Sequence, residues 1–218
     1  MKTAFIFDLD GVIVDTARLH FQAWQRLAQE LGFSFTLKDN ERLKGVSRME
    51  ALKTLLEIGE TQADDQQLTR MADRKNSWYV EALEHLSDQD VLPGAETFLK
   101  NSRDLGIKIA LGSASQNART ILEKLKLIVH FDVIVDGTMT TKAKPNPEVF
   151  SLGAKLLGAA PDDCIVFEDS HAGIEAARAA GMKTVGIGKP DVLQKAHLVV
   201  PSLAYLSPHQ VMKDFNCN

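Results

Sequence analysis

The chain has 218 residues, 44% of them hydrophobic and 25% charged, and a formal net charge of -4. These values are ordinary for a soluble globular protein, and the weak negative charge gives no reason to bind nucleic acid or an anionic membrane surface. No apolar run approaches the roughly 18 residues that a membrane-spanning helix needs. We expect a monomer that acts on small molecules and contacts neither nucleic acid nor membrane.

The start of the chain and its two cysteines indicate a cytoplasmic protein. Met1 to Thr3 lead directly into a predicted strand, which leaves no room for a signal peptide. Cys164 falls in a predicted core strand and Cys217 close to the end of the chain. Cysteines so placed form neither a disulfide framework nor a zinc-binding pattern, and they fit a reducing compartment.

The first predicted element is a buried strand from Ala4 to Phe7, in which every residue is apolar. Asp8 and Asp10 follow it, and because residues i and i+2 of a strand share a face, the two carboxylates emerge side by side. Sites in open α/β sheets form outside the carboxyl ends of strands, and two carboxylates there repel each other unless a cation joins them. Asp-x-Asp is also common in surface turns, so the pair needs support from other segments.

Residues from Thr16 to about Leu86 have the apolar periodicity of helices. The three successive apolar stripes are Ala17, Phe21, Trp24, Ala28 and Leu31; Ala51, Leu55 and Ile58; and Leu68, Met71, Trp78, Ala82 and Leu86. Asp15 is suited to cap the first helix, Gly32 to end it, and Gly59 to end the second. This pattern predicts a small helical bundle inserted after the first strand.

After the Pro93-Gly94 step, predicted helices and strands alternate. The strands are 107–111, 131–135, 164–167, 183–187 and 197–200, and the helices are 95–105, 118–127, 148–157 and 172–180. Such alternation is typical of right-handed βαβ units that form a parallel sheet covered by helices on both faces. The sequence therefore predicts an α/β protein with a doubly wound, Rossmann-like core, residues 1–14 and 88–218, and a helical cap, residues 15–87.

Further polar groups support a site beside Asp8 and Asp10. Ser113 follows the predicted strand 107–111, and the Glu168-Asp169 pair follows the predicted strand 164–167. Lys144 precedes Pro145, at the start of a rigid segment that leads into a helix. Most of these groups lie directly at strand ends, where sites in such sheets form, and this context favours a site over a surface turn.

These segments resemble the four sequence motifs of the haloacid dehalogenase superfamily, and the likeness extends over nearly the whole chain. The motif residues are Asp8-Leu9-Asp10-Gly11-Val12, Ser113, Lys144 and Glu168-Asp169. Within the superfamily, further segments are similar to the sugar-phosphate mutases. These segments are Val14-Asp15-Thr16-Ala17, His20-Phe21-Gln22-Ala23-Trp24, Leu43-Lys44-Gly45-Val46-Ser47-Arg48 and Gly112-Ser113-Ala114-Ser115.

The resemblance implies phosphoryl transfer with Mg²⁺ as cofactor. Asp8 is an ionised oxygen nucleophile that can form an aspartyl phosphate, and Asp10 is expected to act as general acid and base. Mg²⁺ prefers oxygen ligands, which the carboxylates of Asp8 and Asp169 can supply. The resemblance adds the backbone carbonyl of Asp10, and Glu168 could bind the metal directly or through water.

Charge that develops on the transferring phosphoryl oxygens requires cationic and hydrogen-bonding groups around them. The expected groups are Lys144, Ser113 and the following residues Ala114, Ser115, Gln116 and Asn117. Lys142 competes with Lys144, but the Lys144-Pro145 step matches the superfamily motif. Gln116 departs from the pattern, because the mutases carry lysine there; glutamine keeps a hydrogen-bond donor and loses a cation.

The cap is expected to supply the rest of the substrate-binding residues. They are Thr16, His20, Trp24, Lys44, Gly45, Val46, Ser47 and Arg48. Arg48 can hold a second, non-reacting phosphate, and His20 is expected to couple substrate binding to the orientation of Asp10. Taken without the resemblance, the loop with Lys44 and Arg48 is also typical of a solvated surface, and His20 of a half-buried structural histidine.

The expected activity is the interconversion of β-D-glucose 1-phosphate and glucose 6-phosphate through an aspartyl phosphate and β-glucose 1,6-bisphosphate. The alternative is a sugar-phosphate phosphatase of the same fold, since Asp10 could equally activate water. A sugar-phosphate sensor without activity is a third hypothesis, which the complete set of core catalytic residues disfavours.

Overall fold

The computed structural model describes residues 3–216, and in these residues six parallel strands form one sheet with the order β3-β2-β1-β4-β5-β6. The strands are β1 Ala4–Phe7, β2 Lys108–Gly112, β3 Val133–Val135, β4 Cys164–Glu168, β5 Lys183–Ile187 and β6 Leu198–Val200. The chain winds outward in one direction from β1 to β3 and in the other from β4 to β6. This arrangement confirms the predicted α/β fold with a doubly wound parallel sheet, and it places the reversal of strand order between β1 and β4.

Nine α-helices lie in the described part of the chain. They are α1 Ala17–Glu30, α2 Leu37–Asn40, α3 Arg48–Ile58, α4 Asp65–Leu83, α5 Ala95–Asp104, α6 Ala118–Lys124, α7 Glu148–Leu157, α8 His171–Ala179 and α9 Pro208–Asp214. Short 3-10 helices are Glu41–Leu43, Asp88–Asp90, Ile128–His130, Pro161–Asp163 and Leu203–Tyr205. No helix in residues 3–216 is both long and apolar enough to cross a lipid bilayer.

The N-cap of the first helix lies one residue later than predicted. Thr16 rather than Asp15 is the N-cap of α1, and its side chain accepts no hydrogen bond from the helix. Its hydroxyl instead donates to Asp10. At the other end Leu31 is the C-cap, and Gly32 follows it with a φ of 88°, a left-handed conformation that glycine adopts without steric cost.

The central strand β1 buries both of its faces. Phe5 and Phe7 join the larger apolar core, in which the Phe7 and Phe167 rings stack with centroids 4.5 Å apart. Ala4 and Ile6 belong to a second core on the opposite face of the sheet. Because apolar packing fixes β1 on both faces, the residues that follow it, beginning with Asp8, start from a rigid position.

The helices of the predicted cap have an apolar cluster of their own, which includes Trp24, Leu52 and Leu55. The fully buried residues of α4 are Ala72, Lys75, Tyr79 and Leu83. The predicted stripe was therefore one position off, since four of its five residues are only half buried. The reason is that α4 packs on two sides, with Trp78 in contact with both the cap cluster and the larger core. The division into 15–87 and the remainder stays a prediction.

Cys164 is a free cysteine buried in β4. Cys217, the other cysteine, lies outside the described residues, as do Met1 and Lys2. The prediction of a reducing cytoplasmic environment therefore stays a prediction.

Candidate active site

Two neighbouring strands of the sheet place carboxylates close together at their carboxyl ends. Asp8 follows β1, and its backbone N–H donates to the Phe167 carbonyl at 2.9 Å, which continues the pairing with β4. Glu168 is the last residue of β4. Lys144 reaches between them, with its Nζ 2.6 Å from Asp8 Oδ1 and 2.8 Å from Glu168 Oε1. All three side chains are buried, so this is an ion cluster held in the protein interior.

The carboxylate of Glu168 is fixed from both sides. Besides accepting from Lys144 through Oε1, it accepts through Oε2 from the backbone N–H of Ser170 at 2.6 Å and from the Ser170 hydroxyl at 2.9 Å. A side chain at Gly173 would collide with this carboxylate, so α8 can approach it only with glycine there. Glu168 therefore holds Lys144 in place, and direct coordination of a metal by Glu168 stays a prediction.

The charges in this cluster respond to burial and to one another. Burial raises the pKa of Asp8 to about 7; Lys144 opposes the rise, while Glu168 and Asp10 add to it. Burial would lower the pKa of Lys144, but Asp8 and Glu168 outweigh it and raise that pKa, so the lysine stays charged. The cluster is thus a cation shared by two carboxylates, placed where a transferring phosphoryl group would meet Asp8.

Asp10 is held on the side of the cap. The Thr16 hydroxyl donates to its Oδ1, and His20 Nε2 lies 3.9 Å from the same oxygen. Burial raises the pKa of Asp10, although the hydrogen bond from Thr16 opposes the rise. A carboxyl group with a raised pKa holds its proton more readily than an ordinary aspartate, which suits transfer of a proton to another group.

His20 is packed between two residues of α4. Its ring stacks on Tyr79 with centroids 3.8 Å apart, and Lys75 Nζ lies 2.6 Å from its Nδ1. Burial, Lys75 and Arg48 lower the pKa of His20 well below its usual value. The ring is therefore neutral. When Lys75 is protonated it donates to Nδ1, and the proton of the ring is then on Nε2, the nitrogen that faces Asp10.

The segment 44–48 connects the cap to the core at two points. Lys44 Nζ lies 3.7 Å from Asp169 Oδ2 and 3.0 Å from Glu41 Oε1. Arg48 donates from its guanidinium to Gln116 Oε1 at 3.1 Å, across the cleft. Between them Gly45 has a φ of 74°, and a side chain there would collide with the Ser170 hydroxyl.

Ser47 has a structural role in the same segment. Its hydroxyl caps α3 by accepting from the Glu50 backbone N–H, and the Glu50 side chain in turn accepts from the Ser47 N–H. This reciprocal capping box begins the helix at Arg48. It explains why Arg48 stands at the first turn of α3, where its side chain faces the core.

The loop after β2 is shaped by its own hydroxyl groups. Ser113 Oγ accepts from the Ser115 backbone N–H at 3.1 Å, and Ser115 Oγ accepts from the Asn117 N–H at 3.2 Å. Asn117 also donates to Asn76 of α4 at 3.3 Å, a further link between core and cap. Ser113 is fully buried and does not line the cavity, so its predicted contact with phosphate stays a prediction.

A cavity separates the core loops from the cap. The predicted site residues that line it are Asp8, Asp10, His20, Trp24, Lys44, Gly45, Val46, Ser47, Arg48, Ala114, Ser115, Gln116, Asn117 and Asp169. The predicted residues that stand behind its wall are Thr16, Ser113, Lys144 and Glu168. The structure therefore brings the predicted core and cap residues around one space, with four of them as supports.

Sequence reasoning missed the contribution of α4. Lys75 and Asn76 line the cavity, and Tyr79 lies directly behind His20. Lys75 Nζ lies 4.4 Å from the centre of the Trp24 ring and 4.9 Å from that of Tyr79, both within the range of cation–π attraction. A signal was present, because Lys75 stands three residues after Ala72 and four before Tyr79, a charge on an apolar helix face.

The oxygen donors near Asp8 fit a hard divalent cation. Burial raises the pKa of Asp169 well above its usual value, and Glu168, Asp8 and Asp10 add to the rise, which indicates an excess of buried negative charge. Asp169 packs so closely against Gly11 that a side chain there would collide with its carboxylate. Within residues 3–216, however, no three His, Cys, Asp or Glu side chains are arranged as a ready metal cage. The two lysines that contact Asp8, Glu168 and Asp169 stand among these carboxylates instead.

Comparison with known proteins agrees with this fold. Residues 2–181 match the family of haloacid dehalogenase-like hydrolases, and the chain belongs to that family. The β-phosphoglucomutase of Bacillus subtilis (strain 168) is 43% identical over 199 residues, which cover 90% of this chain and 88% of that protein. The crystal structure of a β-phosphoglucomutase from Clostridium difficile matches with a TM-score of 0.95 and 43% identity, covering 99% of this chain and 98% of that one.

A relative that is named as a phosphatase is less similar in sequence. A phosphorylated carbohydrates phosphatase from Thermotoga maritima is 32% identical over 213 residues, 96% of this chain and 96% of that protein. Together these findings confirm the predicted superfamily and the prediction that the chain is an enzyme related to phosphomutases.

Proposed function

We propose that this chain is a magnesium-dependent β-phosphoglucomutase that interconverts β-D-glucose 1-phosphate and glucose 6-phosphate. The observation that carries the proposal is the cavity with Asp8 and Asp10 on one side and Arg48 of the cap on the other. A sugar bisphosphate intermediate needs a reacting group at one end and an anion-binding group at the other. The β-phosphoglucomutases of Bacillus subtilis and Clostridium difficile, at 43% identity, add support.

The core residues would perform the chemical step. An Asp8 carboxylate oxygen attacks one phosphorus of the sugar bisphosphate, the bond from that phosphorus to the sugar oxygen breaks, and Asp10 gives its proton to that oxygen, which leaves a sugar monophosphate. In the other half of the reaction, Asp10 takes a proton from the free hydroxyl of a sugar monophosphate. The oxygen of that hydroxyl attacks the aspartyl phosphate, which re-forms the bisphosphate and frees Asp8. Lys144 balances charge on the phosphoryl oxygens while it holds Asp8.

Asp8, Asp169 and the backbone carbonyl of Asp10 would hold Mg²⁺. When bound, Mg²⁺ supplies positive charge that lowers the repulsion between carboxylates and phosphate and polarises the phosphoryl group. Its presence would also relieve the buried negative charge that raises the pKa of Asp169.

The cap would determine whether a sugar hydroxyl or water attacks the aspartyl phosphate. A mutase must keep water from the aspartyl phosphate until a sugar phosphate arrives, which requires a closed site. Arg48 is suited to bind the non-reacting phosphate through its planar guanidinium, and its bond to Gln116 would give way to that phosphate. Substrate binding would in this way be tied to closure.

Hydrolysis of a sugar phosphate is the second candidate function. The 32% identity to the phosphorylated carbohydrates phosphatase of Thermotoga maritima favours it, and Asp10 could activate water as readily as a sugar hydroxyl. The two functions share every core residue, so only the fate of the phosphoryl group separates them.

A ³¹P NMR assay decides between these functions. The protein is incubated with β-D-glucose 1-phosphate, Mg²⁺ and a trace of β-glucose 1,6-bisphosphate, and a parallel sample contains excess EDTA. A mutase produces glucose 6-phosphate, with little inorganic phosphate and no product in EDTA. Accumulation of inorganic phosphate with free glucose would establish the phosphatase instead, and no turnover of any phosphate ester would indicate a sensor.

A further inference from the structure

One buried side-chain polar atom in residues 3–216 has no hydrogen-bond partner, and it is the hydroxyl oxygen of Tyr79. The side chain is fully buried on α4. An unpaired buried hydroxyl is costly, and such a group in a native protein calls for an explanation. Phenylalanine would fill the same space without this cost, so packing alone does not account for the hydroxyl.

The hydroxyl lies where cap and core meet. Its polar neighbours are the hydroxyls of Thr16 and Ser115, which oppose the rise in the Tyr79 pKa that burial and Asp10 cause. Both are near enough to affect its pKa, but neither makes a hydrogen bond of full geometry with it. The ring below this hydroxyl stacks on His20. Tyr79 therefore lies beside both Ser115, in the loop after β2, and Thr16, the hydrogen-bond partner of Asp10.

The protons of the neighbouring hydroxyls can be assigned from their existing bonds. Thr16 donates its proton to Asp10, so its oxygen can only accept from Tyr79. Ser115 Oγ accepts from the Asn117 N–H, and in residues 3–216 its own proton has no acceptor. The groups can thus align in one direction, with Ser115 donating to Tyr79, Tyr79 to Thr16, and Thr16 to Asp10.

We propose that Tyr79 is a positioning residue whose hydroxyl completes this chain of hydrogen bonds when a sugar phosphate is bound and the cap settles on the core. These hydrogen bonds would join Ser115, in the loop that lines the cavity, to Asp10, the carboxylate proposed to transfer the proton. This inference rests on the proposed role of Asp10 in phosphoryl transfer.

The test is Tyr79→Phe, which keeps the ring and removes only the hydroxyl. The matched control is Tyr205→Phe, since the chain has two tyrosines and Tyr205 is exposed. We expect Tyr79→Phe to lower kcat by about tenfold, the value of one hydrogen bond to a reacting network, with KM close to that of the wild type. Because an unpaired group is removed, the Tm of the substrate-free protein should rise by roughly 2–4 °C.

The opposite signs of these two effects separate positioning from a structural role. An unchanged kcat, or a lower Tm together with a lower kcat, would overturn the proposal. In a Thr16→Val background, Tyr79→Phe should cause little further loss of kcat. An equal loss of kcat in the wild-type and Thr16→Val backgrounds would also contradict the proposed chain of hydrogen bonds. If the wild type proves to be a phosphatase, the proposed mutase function fails while this comparison still applies to the hydrolysis rate.

Discussion

The core wall and the cap wall of the cavity balance their charges in different ways. In the core, Lys144 contacts two buried carboxylates at 2.6 and 2.8 Å. In the cap, Lys75 and Arg48 both lower the pKa of His20, and Arg48 also lowers the pKa of Lys75. The core wall is thus a cluster of opposite charges, and the cap wall gathers groups that repel one another when charged.

The two walls therefore suit different parts of the proposed reaction. Opposite charges that are buried together give a fixed arrangement, which suits the chemical step because the reacting groups need no rearrangement. Basic groups that repel one another when charged are relieved by an incoming anion, which suits recognition of a second phosphate. We therefore expect core variants to fail with every phosphoryl donor, and cap variants to fail selectively.

The largest expected effect is that of Asp8→Asn. The amide keeps the size of the carboxylate but lacks its attacking charge, so we expect a roughly 10⁴-fold or greater loss of turnover with any donor. Intact-mass spectrometry after incubation with acetyl phosphate should detect a phosphoenzyme in the wild type and in Asp162→Asn, an exposed control. Activity near wild type, with deamidation excluded in the same spectra, would remove Asp8 from its assigned role.

Next in size is the effect of Lys144→Met. This variant leaves Asp8 and Glu168 buried without their cation, and loss of one partner of a buried ion cluster costs about 3–5 kcal/mol in the free energy of unfolding. Urea denaturation at pH 8 measures it. The loss should shrink at pH 5, because the Asp8 carboxyl, with a pKa of about 7, is then protonated. Lys142→Met, at an exposed neighbouring lysine, should leave stability unchanged; equal losses in both variants would argue against the buried cluster.

Arg48→Ala tests the cap wall by its selectivity. We expect a roughly 10- to 100-fold loss of mutase turnover, the value of a charged hydrogen-bonded contact, and far less loss with acetyl phosphate, which has no second phosphate. The aspartyl phosphate should also become more open to water. Both activities are measured in one preparation, with Arg42→Ala as a control because Arg42 is exposed and pairs with Glu57. Equal losses for both donors would mean that Arg48 supports the fold or the core site.

The two walls also differ in how far the sequence predicts them. The core residues could be predicted because Asp8 and Glu168 stand at the ends of buried strands, and parallel pairing then brings them together. Lys75 gave only a weak signal, as a charge on an apolar helix face, and Tyr79 gave none. Both lie inside a helix whose rotation depends on packing against two apolar clusters. Arg48 was predicted from the resemblance alone, while its bond to Gln116 joins residues 68 positions apart.

The smallest expected effect concerns Lys75 and the pH dependence of stability. Burial and Arg48 lower the pKa of Lys75 from an ordinary 10.5 to about 7, although Asp10 opposes this. Between these two pH values the unfolded chain binds the proton that the folded chain has released. Stability contributed by this group therefore rises with pH across that window, and the full penalty for burying its charge applies below about pH 7.

Lys75→Met removes this titration while it fills a similar volume. The variant should be more stable than the wild type at pH 6.5, and the difference should decrease steadily as the pH rises to about 10.5. Above that pH, folded and unfolded wild type are both mostly neutral at this lysine. Urea denaturation at several pH values measures the difference, with Lys53→Met, at an exposed lysine of α3, as the control that should show no such trend. A difference that stays constant with pH would mean that Lys75 is charged in the folded protein throughout, held by an anionic partner. The charge of Lys75 in the cap wall would then be paired with an anion, as the charge of Lys144 in the core wall is. Recognition of a second phosphate would have to rest on Arg48 alone.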